Sequence, residues 1–187
     1  MEYVITAIIV VGLAVFLRFG IKRIAIFEYE RGLKYAGGKF DIVLEPGQYW
    51  YIPFFVMIQK VDVRPRFASI TGQEVLSSDG VTLKVSPAAS FEIVDPNTAV
   101  NKVNNFHEAL YIELQLALRE IVGASEIETV LNNRGELSEK LVEMTKDKVK
   151  EFGLRLISAD VKDIMLPGKL KEIFARVVNA RQEGLAA

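Results

Sequence analysis

Val81-Thr82-Leu83-Lys84-Val85-Ser86-Pro87-Ala88-Ala89-Ser90-Phe91-Glu92-Ile93-Val94 places Val81, Leu83, Val85, Ala89, Phe91 and Ile93 on odd positions. Thr82, Lys84, Ser86, Ser90 and Glu92 fall on even ones. Successive strand side chains point to opposite faces, so this period of two predicts a strand with one face buried. Pro87 lacks an amide donor, which predicts an edge position or a bulge in its middle. Just upstream, Ser78-Asp79-Gly80 reads as a tight turn closing a hairpin with Gln73–Leu76.

Beyond Asp95-Pro96 the period changes. Phe106, Leu110, Leu114, Ala117, Leu118 and Ile121 recur at helical spacing and form one apolar stripe. Gly123 ends that helix, and Ser125 with Glu128 reads as a capping box for a short helix through Leu131. A further helix covers about Gly135–Phe152, with Leu137, Leu141, Met144 and Val149 inward and Gly153 just past its end. Leu154–Leu166 returns to strand character, and Pro167-Gly168 closes it. Lys169 onward is helical again, with Leu170, Ile173, Phe174 and Val177 as its apolar stripe. Toward the N-terminus, Ile24–Glu30 and Gln59–Arg64 read as strands. Arg31-Gly32, Gly37-Gly38 and Glu45-Pro46-Gly47 read as turns. Strand runs followed by helix runs predict an α+β fold, with helices on one face of a mainly antiparallel sheet.

The 187 residues suit one domain plus an appendage, at about 100–200 residues per domain. Lysine and arginine number 23 against 24 aspartates and glutamates. So balanced a chain offers no overall basic footprint for nucleic acid. The absence of cysteine excludes disulfides, zinc–cysteine sites and S-palmitoyl anchors, and a single histidine, His107, excludes any two-histidine site. His107-Glu108 begins like a zinc helix, but Tyr111 stands where the second histidine would be. There is no Walker loop, no G-x-G-x-x-G and no G-x-S-x-G. Glu136, Glu139, Glu143 and Asp147 alternate with Lys140, Lys146, Lys148 and Lys150, the pattern of a solvated helix face. The sequence therefore predicts a protein that is not an enzyme and carries no cofactor.

Tyr3–Leu17 is an unbroken apolar run that continues past Arg18 to Ile21. As a helix rising about 1.5 Å per residue it would span about 28 Å, close to the about 30 Å of bilayer hydrocarbon. Arg18, near its end, can reach the headgroups. A cleaved signal peptide needs a basic start and a small-residue cleavage site; Met1-Glu2 and Arg18–Arg23 stand in those places. Arg18, Lys22 and Arg23 all follow the run, which predicts that the remainder lies on the cytoplasmic side. No proline interrupts it, so a single pass is the simpler topology and insertion into one leaflet the alternative. Tyr49-Trp50-Tyr51-Ile52-Pro53-Phe54-Phe55-Val56-Met57-Ile58 holds five aromatics within its first seven residues, including the sole tryptophan. Aromatics are favoured at headgroup level and also in cores, so Tyr49, Trp50, Tyr51, Phe54 and Phe55 are candidate membrane contacts with core burial as the rival.

These stretches together resemble the stomatin/prohibitin/flotillin (SPFH, band 7) superfamily, in its slipin (stomatin-like) branch. The resemblance rests on the N-terminal apolar run, Phe27-Glu28-Tyr29-Glu30-Arg31-Gly32, Pro46-Gly47 with Ile52-Pro53-Phe54, and Val61-Asp62-Val63-Arg64. It continues through Gln73-Glu74-Val75-Leu76, Asp79-Gly80-Val81, Asp95-Pro96 with Ala99-Val100, Leu118-Arg119 with Gly123, and Asp163-Ile164-Met165-Leu166-Pro167. It implies an anchor over 1–22, an SPFH domain over 23–168, and the start of a coiled-coil helix over 169–187. It also implies a non-enzymatic scaffold that touches membrane lipid and assembles as a homo-oligomer. Such a scaffold organises membrane microdomains and regulates channels or a membrane protease partner. A small adaptor binding one protease without a large ring is the alternative. Oligomer contacts are expected at Leu170, Ile173, Phe174 and Val177.

Overall fold

The computed structural model describes residues 1, 3–7 and 20–168. Among the described residues from Lys22 onward, nine strands and three α-helices follow one another. They are β1 (Lys22–Ile26), β2 (Glu30–Ala36), β3 (Lys39–Leu44), β4 (Gly47–Tyr51), β5 (Val56–Asp62), β6 (Arg66–Ser69), β7 (Gln73–Leu76) and β8 (Thr82–Ile93). A π-helical turn (Thr98–Lys102) leads to α1 (Phe106–Gly123), α2 (Ile127–Asn132), α3 (Arg134–Glu151) and β9 (Leu154–Met165). Every strand pairing is antiparallel, so the α+β expectation holds for this body. β1 and β4 form a ribbon, β3-β2-β5 a small sheet, and β8 the spine of a larger one. β6 and β7 pair successive halves of one edge of β8, while β9 runs along its other edge.

The period-two stretch is that spine. Leu83, Val85, Ala89, Phe91 and Ile93 are all buried, as the alternation requires. Pro87 sits in this central strand, not at an edge. The ladder to β9 shifts register between Ser86 and Pro87, so the bulge accommodates the missing donor. α1 buries Leu110, Leu114, Ala117, Leu118, Ile121 and Val122, and α3 buries Leu137, Leu141, Thr145 and Val149. Met144 is only half-buried. Thr145 takes the inward place one residue on, and its hydroxyl donates to the Leu141 carbonyl at 2.6 Å, so no buried polar group is stranded.

Three local expectations are corrected. Arg31-Gly32 is no turn; both residues lie inside β2. Gly32 sits in close approach: a Cβ there would displace the Ile26 side chain and press on the Leu44 Cβ at 3.2 Å. The strand expected over Ile24–Glu30 ends at Ile26, and Phe27-Glu28-Tyr29 makes the turn instead, closed by Glu30 N–H donating to the Phe27 carbonyl at 2.9 Å. That turn is clasped from the side. The Phe27 and Tyr29 rings stack at 5.6 Å, Lys60 lies 4.9 Å over Phe27, and Arg64 lies 4.4 Å over Tyr29. Hydrogen bonds from Arg64 hold the Asp62 carboxyl down to about 2. The capping box is also absent. Glu126 occupies the N-cap of α2 without a side-chain cap, and the Ser125 hydroxyl donates back to the Ile121 carbonyl at 2.8 Å. The cap comes from the β7–β8 hairpin, where Asp79 Oδ1 accepts from the Ile127 amide at 3.3 Å and from the Ser77 hydroxyl at 2.5 Å.

Gly153 adopts φ 76° after α3, and its carbonyl accepts from the amides of Val94 and Asp95 at 3.0 and 2.9 Å. A Cβ there would collide with the Asp95 carbonyl. Gly153→Ala is expected to destabilise by more than the about 1–2 kcal/mol of the left-handed conformation alone. Leu141→Ala is expected to cost about 2–5 kcal/mol by opening a cavity. Urea unfolding of both variants measures these differences.

Asp79 supplies a pH signature. Chiefly the Ser77 hydrogen bond, with the Ile127 amide, lowers its pKa from 3.8. A depressed folded pKa gives stability that is present above the unfolded value and lost as pH falls through the folded one. Asp79→Ala should therefore lower Tm at neutral pH, with the gap from the parent closing below about pH 4. A gap independent of pH would contradict this cap.

Candidate functional site

β1 and β4 are paired so that Lys22 lies opposite Tyr51 and Arg23 opposite Trp50. The end of β1 nearest the N-terminal apolar run therefore lies at the end of β4 that leads into the aromatic loop. The loop itself is a tight turn, with the Phe55 and Val56 amides donating to the Ile52 carbonyl at 3.1 and 3.0 Å. The β2–β3 turn joins it, since the Gly37 amide donates to the Phe55 carbonyl at 3.1 Å. One pole of the molecule thus gathers the start of β1, the loop from Ile52 to Phe55, and the Gly37-Gly38 turn.

The side chains at this pole are apolar and uncovered. Trp50, Phe54 and Phe55 are 69%, 82% and 71% exposed, and Met57 and Phe40 are exposed beside them. Clustered exposed apolar side chains mark a surface that meets something other than water. The Arg23 guanidinium stands 5.9 Å from the Trp50 ring centre, and Lys22 and Lys39 are exposed nearby. The pole is therefore aromatic and basic together.

The expected contacts divide. Trp50, Phe54 and Phe55 project outward, while Tyr49 and Tyr51 are half-buried, and the Tyr49 hydroxyl donates to the Glu45 carbonyl at 2.9 Å. Strand alternation produces this division, because Trp50 points opposite to its two tyrosine neighbours. Arg18, Leu170, Ile173, Phe174 and Val177 lie outside the described residues. Residues 3–7 are helical, and among the described residues no helix is long and apolar enough to cross a membrane. Phe40 and the Gly37-Gly38 turn escaped the sequence reading as members of this surface. Their apolar or turn character was visible, but the pairing that brings them together was not.

Behind the exposed aromatics, a cleft of about 640 Å3 is lined by Tyr35, Gln59, Asn101 and the main chain at Gly37 and Gly38. The Tyr35 hydroxyl donates to Asn101 Oδ1 at 2.7 Å, and Asn101 Nδ2 donates to Asn97 Oδ1 at 2.8 Å. A second cleft, of about 410 Å3, is lined by Arg31, Glu45, Glu92 and Asp95. Its charges already have partners: Arg31 pairs with Glu45 at 3.2 Å, Glu92 with Arg155, and Asp95 accepts from the Thr98 hydroxyl at 2.6 Å.

The His107 ring packs edge-on to Phe91 at 5.5 Å and against Phe106 at 4.4 Å. Its burial, with Arg66 nearby, lowers its pKa. Its amide and that of Glu108 donate to Asn105 Oδ1, which caps α1. Among the described residues no group of three or more histidine, aspartate or glutamate side chains is placed to hold a metal ion.

A family model described as SPFH domain / Band 7 family matches residues 24–187. A protein of Archaeoglobus fulgidus is 31% identical over 83% of this chain and 63% of its own length. A stomatin homolog of Pyrococcus horikoshii is 28% identical over 97% of this chain and 68% of its own. Stomatin-like protein 3 of Mus musculus is 29% identical over 85% of this chain and 56% of its own. The chain thus spans about half to two thirds of the length of these relatives. The family match takes in β2 to β9, most of β1, and α1 to α3, and the chain belongs to the SPFH domain / Band 7 family.

Proposed function

We propose that this protein is a membrane-attached scaffold that works by binding and assembly, without catalytic turnover. The observation that carries this is the single pole where the N-terminal apolar run feeds β1 beside Trp50, Phe54 and Phe55. A run long enough to span a bilayer enters the domain beside a group of exposed aromatics. Tryptophan and basic side chains favour the headgroup layer. The apolar run is a single-pass anchor, and the body rests on the cytoplasmic side with this pole against the lipid.

On this account Trp50, Phe54 and Phe55 insert at headgroup level, while Tyr49 and Tyr51 brace the ribbon from within. Copies assemble as a homo-oligomer, with the stripe Leu170, Ile173, Phe174 and Val177 as its contact. The assembly organises membrane proteins and regulates a membrane partner such as a protease or a channel. Support comes from the family to which the chain belongs and from the stomatin names of its relatives.

Trp50 is the sole tryptophan, so its fluorescence reports this pole alone. In bilayers containing lipids brominated near the glycerol, its emission is expected to shift to the blue and be quenched. Phe54→Ser with Phe55→Ser should weaken that quenching while leaving the far-ultraviolet circular dichroism unchanged. A fully buried phenylalanine is worth about 1.5–3 kcal/mol, so each substitution should weaken loop insertion by about tenfold to about a hundredfold. Unquenched, solvent-like emission would overturn the orientation. Light scattering on the detergent-solubilised chain is expected to give many chain masses per particle; a monomer would overturn the assembly.

A further inference from the structure

The first five strands run up and down between two ends. β1 starts, β2 ends, β3 starts, β4 ends and β5 starts at the aromatic pole; their other ends lie toward the β3–β4 turn at Pro46. Charge is sorted between these ends. The three pole segments, 20–24, 35–40 and 49–58, hold Lys22, Arg23 and Lys39 and no aspartate or glutamate. The far segments, 27–31, 44–47 and 61–64, hold Glu28, Glu30, Glu45 and Asp62 against Arg31 and Arg64.

The ion pairs follow the same division. At the far end Arg31 binds Glu45 at 3.2 Å and Arg64 binds Asp62, while Lys60 on β5 reaches Glu30 at 2.9 Å. At the pole Lys22, Arg23 and Lys39 are exposed, and among the described residues none of the three is in an ion pair. The acid nearest to Lys39 in the chain, Asp41, is taken by Lys34 at 2.6 Å. The whole chain has a formal charge of -1, so the basic pole is a segregation of charge within the molecule and not the surface of a basic chain.

We propose that this pole binds anionic phospholipid, gathering negatively charged headgroups in preference to zwitterionic ones. The proposal rests on the membrane-facing orientation of the pole and goes beyond it, because exposed aromatics alone do not distinguish one headgroup charge from another. Lys22 and Arg23 directly follow the apolar run that ends at Ile21, so the surface nearest to them is the bilayer's own. The Arg23 guanidinium, 5.9 Å from the Trp50 ring centre, is carried to the headgroup depth that indole rings favour. Arginine and lysine donate charge-assisted hydrogen bonds to phosphate oxygens, and an uncompensated cation at an anionic surface adds about fivefold in affinity. The acidic far end adds to the effect. The field of an anionic leaflet turns the basic end toward the lipid and the acidic end away, the same sense as the aromatics.

The test uses the full chain in bilayers of phosphatidylcholine with phosphatidylglycerol as the minor lipid. Composition is held fixed, and an equal mole fraction of either lipid carries bromines near the glycerol. At low salt, brominated phosphatidylglycerol is expected to quench Trp50 more strongly than brominated phosphatidylcholine. The difference should fade as salt rises from about 0.01 M to about 1 M, which shortens the screening length from about 30 Å to about 3 Å. Lys22→Gln and Lys39→Gln should each lower the preference by up to about fivefold, while Lys146→Gln, at an exposed position on α3, leaves it unchanged. A preference insensitive to salt, or one kept when Lys22→Gln and Lys39→Gln are combined, would overturn the proposal. Loss of the preference in inorganic phosphate but not in chloride of equal ionic strength would show a free-anion site and overturn the lipid source. Strong but equal quenching by the two lipids sinks the headgroup preference alone. Quenching by neither sinks the orientation and the preference with it.

Discussion

The pairing of Lys22 with Tyr51 and of Arg23 with Trp50 decides where the N-terminal run meets the body of the molecule. A two-stranded ribbon is at best marginally stable alone in water, so β1–β4 must lean on something. On one side it leans through Ile26, which is buried against the backbone of β2 at Gly32, where a Cβ would displace it. The clasp of Phe27, Tyr29, Lys60 and Arg64 then fixes the turn between the ribbon and the small sheet. Most of the ribbon's remaining surface is uncovered, Trp50 included. That exposure is unfavourable in water and becomes favourable against a bilayer, which is the physical content of the scaffold orientation.

The larger sheet gives this pole its rigidity at a distance. β8 is paired along both edges, and its buried side chains share one core with those of α1 and α3. Asp79, in the hairpin that leads into β8, caps α2, and Gly153, at the end of α3, accepts hydrogen bonds from Val94 and Asp95 at the end of β8. Helices and sheet are thus tied at both ends of one strand. The π-helical turn that follows carries Asn101, and its contact with Tyr35 joins this unit to the small sheet beside the aromatic loop.

Elements whose evidence is periodic were legible in the sequence. β8, α1 and, apart from Met144, α3 bury the faces that their spacing predicts, because one buried face leaves a repeating mark on every second, third or fourth residue. Features set by distant partners were not legible. The α2 cap lies 48 residues away at Asp79, while the local pattern at Ser125 and Glu128 pointed to a capping box. Gly32 looked like a turn residue because sequence cannot show that Ile26 folds back upon it. Pro87 could be assigned a bulge but not a central place, since strand order leaves no local trace. At the candidate site the residue types were evident, and the division between Trp50 and its tyrosine neighbours follows from alternation once Tyr49–Tyr51 is known to be a strand. The convergence of three segments at one pole depends on β1–β4 and β2–β5 register, which only the folded chain reveals.

The central claim is that one pole faces lipid and the opposite end faces water. With no cysteine in the chain, single cysteines can be introduced for spin labels without a background. Labels at Phe54, in the aromatic loop, and at Pro46, in the β3–β4 turn at the other end of the ribbon, probe the two ends. The measurement is their relative accessibility to oxygen and to a water-soluble nickel complex in bilayers. The account predicts that oxygen relaxes the label at 54 more strongly and the nickel complex the label at 46. Equal, water-like accessibility at both positions would contradict it.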